Sequence, residues 1–116
     1  MSLLIRQRNL SDVVILDLTG RLWILDLPLR DLMNGLLTEG KCQFVLNLTG
    51  VEYIDSSGLG QLITIWTSIR NKGGRMTVLN PTKRVQRLFE ITHLNNVFQI
   101  LDNEADAIAK TGNASA

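Results

Sequence analysis

With a single cysteine, a single histidine and only 5% aromatic residues, this 116-residue chain is short of the side chains on which much protein chemistry rests. Cys42 alone cannot close an internal disulfide, and no group of Cys and His has the spacing of a metal site, so neither a disulfide scaffold nor a metal cofactor is expected. Excess charge is missing too. Lys and Arg number 12 against 11 acids, and a net charge of +1 gives no general attraction to nucleic acid or to an anionic membrane. No apolar run approaches the roughly 18 residues needed to cross a bilayer, and the N-terminus has no basic stretch leading into a long apolar one. Together with the lone cysteine, this predicts a cytoplasmic protein without direct membrane insertion.

The usual catalytic signatures are absent as well. There is no Gly-x-Ser-x-Gly elbow, no Walker loop and no dinucleotide fingerprint, and His93 sits in a different loop from the serines discussed below. An enzyme is not expected, nor a cofactor.

What is present is an ordinary globular composition, 45% hydrophobic and 20% charged. A chain of this length forms one domain and buries roughly two thirds of the surface its unfolded form exposes. Residues 3–8 alternate weakly, and 13–19 read as a strand ended by Gly20, with a hairpin turn between them over 9–12. Leu29, Leu32, Met33, Leu36 and Leu37 follow helical spacing, opened by Asp26 and Pro28 and stopped by Gly40. Further strands are expected over 44–48, 76–79 and 97–101. A second helix ends near Asn71, a third opens at Pro81-Thr82, and a fourth, capped by Asp102, ends near Lys110. The domain then spans 1–110, and the small polar residues 111–116 form a flexible tail. Strand and helix alternate from Val13 onward, which predicts an α/β fold: a mixed, mostly parallel sheet of about five strands with about four helices.

The most informative stretch is Tyr53-Ile54-Asp55-Ser56-Ser57-Gly58-Leu59-Gly60, where an apolar strand passes into a helix whose apolar face is Leu59, Leu62, Ile63, Trp66 and Ile69. Asp55, Ser56 and Ser57 are candidate N-caps, their oxygens able to accept from the free amides of the first turn. Those amides and the helix dipole also favour an anion, so a phosphate on one of the serines would be accommodated. From the residues alone the segment reads first as a helix cap and only second as a phosphosite. Gly58 and Gly60 suggest close approach of a neighbouring backbone.

With these elements placed, the chain resembles the STAS domain family, and specifically the bacterial anti-sigma-factor antagonists. The resemblance is carried by Leu46-Asn47-Leu48, Asp55-Ser56-Ser57-Gly58-Leu59-Gly60, Asn80-Pro81, Val85, Arg87-Leu88-Phe89, Leu94 and Val97-Phe98. It implies a STAS fold and a binding module that regulates transcription. In such proteins the serine after the aspartate, here Ser56, is phosphorylated by an anti-sigma factor that is itself a serine kinase. The unphosphorylated form binds that kinase, and a serine phosphatase restores it. Ser57 is the secondary phosphoacceptor candidate. The expected contact set is Asp55, Ser56, Ser57, Gly58, Leu59 and Gly60, joined by Trp23 because Trp is favoured at interface centres.

Trp23 departs from the family pattern, standing where an acidic residue is common, and the apolar run Leu22-Trp23-Ile24-Leu25 has to be covered by the domain or by a partner. His93 stands where relatives often carry glycine, at a helix end that calls for left-handed backbone. Lys83, Arg84 and Arg87 form a small basic cluster, read as a solvated face or a contact for an acidic partner. The alternative to a phosphorylation-switched antagonist is a STAS scaffold subunit of a signalling complex or of a membrane transporter.

Overall fold

A period-two apolar pattern alternating with a period-3.6 pattern produces, in the computed structural model, five strands and four α-helices; the structure describes residues 3–22 and 27–112. In chain order these are β1 (Leu4–Leu10), β2 (Val13–Leu22), α1 (Leu27–Thr38), β3 (Gln43–Ile54), α2 (Ser56–Asn71), β4 (Arg75–Leu79), α3 (Lys83–Ile91), a 3-10 turn (Leu94–Asn96), β5 (Gln99–Leu101) and α4 (Glu104–Gly112). The sheet order is β1-β2-β3-β4-β5. β1 pairs antiparallel with β2 through a turn in which Ser11 takes a φ of 57°, and all other pairs are parallel. The expected α/β architecture, with its parallel core and antiparallel edge, is the one observed.

The two faces of the sheet are built differently. Val14, Leu16, Leu18, Phe44, Leu46, Leu48, Met76 and Val78 point to one side, where α1, α2 and α3 cover them and complete the main core with Leu29, Met33, Leu62, Ile69, Val85 and Phe89. The alternate residues Val13, Ile15, Val45 and Leu79 meet Ala107 of α4 on the other side in a much smaller cluster. Beyond it that face turns polar. Arg8 donates to Asp17 at 2.7 and 2.9 Å and to Glu104 at 2.6 and 3.2 Å, tying β1 and β2 to α4. The Arg8 guanidinium holds both carboxyls below their ordinary range, and its own pKa is raised by the same bonds.

Several boundaries differ from those expected. Gly20 does not end β2; with a φ of 114° it sits at a bulge, and the strand continues to Leu22. β3 likewise runs past Leu48 to Ile54, and register shifts accommodate the extra residues. In α2 it is Ile65 that is buried and Ile63 that faces solvent at 39% exposure. β5 is three residues long, and Val97 is exposed before it. The cap of α4 is Asn103 rather than Asp102, its Oδ1 accepting from the Asp106 amide at 3.0 Å.

The expected tail boundary after residue 110 needs correcting. α4 continues to Gly112, and Thr111 is fully buried, its hydroxyl 2.7 Å from that of Thr77 and 2.7 Å from the Ala107 carbonyl. A small polar residue can close a helix onto a sheet when its hydroxyl finds such partners, which hydropathy alone does not reveal. Residues 113–116 lie outside the described residues.

Candidate functional site

The C-terminal ends of β2 and β3 lie side by side, with Leu22 in register with Ile54. In parallel sheets this is the edge at which loops gather and ligands or partners are met. β3 leaves the sheet through Asp55, whose amide donates to the Leu22 carbonyl at 3.2 Å. The extended backbone of Asp55 (φ −91°, ψ 179°) then turns directly into α2.

Asp55 is the N-cap. Its Oδ1 accepts from the Gly58 amide at 2.7 Å, and its carbonyl accepts the first helical bond, from the Leu59 amide at 2.9 Å. Ser56 and Ser57 therefore occupy the first two helical positions, and both are exposed. The capping role is filled by the carboxylate, which leaves the serine hydroxyls at the surface beside the positive end of the helix dipole.

The two glycines of the segment have opposite settings. A Cβ at Gly58 would run into the Leu22 carbonyl, so glycine is what lets α2 start directly against β2. This bears out the close approach expected there. Gly60 meets nothing within 4 Å and is exposed, so the same expectation fails at that position.

Of the expected contact set, Ser56, Ser57 and Gly60 are brought together on the exposed start of α2, with Asp55 half-buried beside them. Gly58 and Leu59 are buried, Leu59 within the main core, because the first apolar turn of α2 has to face the sheet; neither offers a side chain to a partner. Trp23 lies outside the described residues. Leu22, just before it, is fully buried and packs against the serine turn.

Two motif residues serve elsewhere. Asn47 donates to Asp17 at 2.8 Å and accepts from the amide and hydroxyl of Thr49 at 3.1 and 2.6 Å, and Asn80, with a φ of 50°, donates to Thr49 at 3.1 Å. They fasten the ends of β2, β3 and β4 on the α4 side. Sequence reasoning missed this network; its signal was a polar residue, Asp17 or Asn47, directly after the apolar run of its strand, Val13 to Leu16 or Phe44 to Leu46. Trp66 packs edge-on to Phe98 with ring centroids 6.4 Å apart, under the Arg70 guanidinium, as part of the core margin rather than a ligand platform. His93 takes the left-handed backbone expected of it, with a φ of 62°. Among the described residues no group of His, Cys, Asp and Glu could hold a metal ion.

The sequence profile described as the STAS domain matches residues 5–107. The anti-sigma F factor antagonist of Paenibacillus polymyxa is 32% identical over 115 residues, spanning 95% of this chain and 96% of that protein. The crystal structure of a candidate anti-sigma factor antagonist from Thermotoga maritima superposes with a TM-score of 0.85 at 29% identity, covering 92% of this chain and 93% of the other. The unphosphorylated form of the anti-sigma factor antagonist SpoIIAA shares the fold, with a TM-score of 0.72 at 20% identity over 92% of this chain and 96% of its own. The chain belongs to the STAS domain family.

Proposed function

We propose that this STAS domain is an anti-sigma factor antagonist, a binding module whose partner is an anti-sigma factor with serine kinase activity and whose affinity is switched by phosphorylation of Ser56. The observation that carries this reading is the division of roles at the turn: Asp55 caps the helix, and the Ser56 hydroxyl is exposed at the first helical position. A phosphate there adds about −1.5 to −2 charge at neutral pH, where the helix end stabilises an anion. The same charge placed in a docked, partly apolar interface costs binding free energy, so modification releases the partner. A serine phosphatase then resets the domain. Trp23, which follows directly on Leu22, serves as an apolar contact for the partner, and a cytoplasmic location goes with this role.

The test has two arms. Incubation with the partner kinase and ATP, read by mass spectrometry, should place phosphate on Ser56 and lose it in Ser56→Ala; modification confined to Ser57 or Thr64 would refute the assignment. In the second arm, Ser56→Asp should weaken partner binding in a calorimetric titration while changing stability by no more than about 0.3–1 kcal/mol, the usual effect of an anion at a helix start. Equal affinity of variant and parent would remove the switch.

A further inference from the structure

Next to the serine turn, between the end of β3 and the outer side of α3, lies a groove of about 230 Å³. Its floor is apolar, formed by the buried Ile54 and Val85, with Leu88 beside them. Its walls are unusually bare for large hydrophobic side chains: Ile91 is 66% exposed and Tyr53 36%. Arg84 and Arg87 stand at the rim, Arg84 with its guanidinium 5.5 Å from the centre of the Tyr53 ring. Among the described residues no carboxylate lines the groove and neither arginine is paired with an acid. Glu90, the acid of α3, accepts instead from Gln86.

Among the described residues no acid balances the charge on α3. Its first turn carries Lys83 and Arg84 and no acidic residue, which sets two cations against the positive end of the helix dipole. Within the domain this arrangement costs stability, and an anionic group brought alongside would offset it. An apolar floor under a cationic rim is complementary to a segment with the reverse pattern, and the net charge of only +1 disfavours a membrane or nucleic acid as the source of the anion.

We propose that this groove docks an acidic, amphipathic segment of a partner protein. One large apolar side chain seats on Ile54 and Val85 between Tyr53 and Ile91, and carboxylates on flanking positions meet Arg84 and Arg87. The contact requires no phosphate and stands whether or not Ser56 is modified.

Three short synthetic peptides test this by amide-shift titration of the full chain: a central leucine flanked by glutamates, the same leucine flanked by lysines, and the glutamate peptide with serine in place of leucine. The first alone should shift Tyr53, Ile54, Leu88 and Ile91. Its affinity should fall about tenfold or more in the Arg84→Glu/Arg87→Glu variant and in Ile91→Ser, with the melting temperature of both variants near that of the parent. Binding of the serine peptide as tightly as the leucine one, saturable shifts at the same amides with inorganic phosphate alone, or no binding by any peptide would overturn the proposal. So would a concentration-dependent dimer that disappears in Ile91→Ser, which would assign the groove to a second copy of this chain.

Discussion

The two faces of the sheet are made by alternate residues of the same strands, yet they are held by different physics. On the α1–α2–α3 face, stability comes from burying large apolar side chains in a continuous core. On the α4 face, a small apolar cluster is supplemented by a hydroxyl pair, an ion-pair junction and the Asn47 network. The first kind of face tolerates exchange of one hydrophobic residue for another of similar volume; the second depends on each polar group keeping its particular partner.

The largest effect that could break this contrast is on the core face. Phe89 is fully buried and meets Phe98 edge-to-face at 5.6 Å, so Phe89→Ala should cost about 3–5 kcal/mol in denaturant unfolding. A loss below about 1 kcal/mol would show that this face is not the main source of stability.

On the α4 face, Thr111→Val should cost about 1–3 kcal/mol, because it strips the buried Thr77 hydroxyl of its 2.7 Å partner. The double variant Thr77→Val/Thr111→Val should recover most of that loss, since both polar groups are then removed together. Additive losses in the double-mutant cycle would mean that shape rather than partnering matters there.

The smallest effect is at Arg8. Arg8→Met should cost about 1 kcal/mol near neutral pH, a figure kept low because the junction is partly exposed. Asp17 and Glu104 have lowered pKa values in the folded protein, so their contribution is present above the unfolded carboxylate range, about pH 4, and is lost as pH falls through the lowered folded values. Stability curves of parent and variant against pH should therefore converge on the acid side. Curves that stay parallel into strong acid would assign Arg8 a packing role instead.

The same contrast explains what could be read from the sequence. The core face announces itself through apolar periodicity: Leu29 and Met33, Leu62 and Ile69, Val85 and Phe89 all point where their spacing says. The serine turn was legible because capping is local chemistry, and the Asp55–Gly58 bond spans only three positions of sequence. What escaped depended on distant partners. Thr111 looks like a fraying tail until Thr77 is beside it, Arg8 looks solvated until Asp17 and Glu104 converge on it, and Gly20 looks like a stop until the bulge carries β2 onward to Leu22. Ile63 and Ile65 differ by only two positions, and which of them is buried is settled by how α2 rolls against the sheet.

The Asp55 cap has one more consequence, for any enzyme that acts on the neighbouring hydroxyl. Ser56 is presented on helical backbone, its position fixed by the carboxylate–amide bond and by the contact of Gly58 with Leu22. Drawing the serine out as an extended strand would break the Asp55–Gly58 bond and the helical start that depends on it. A peptide copied from the turn would carry the same letters without the folded start that presents them.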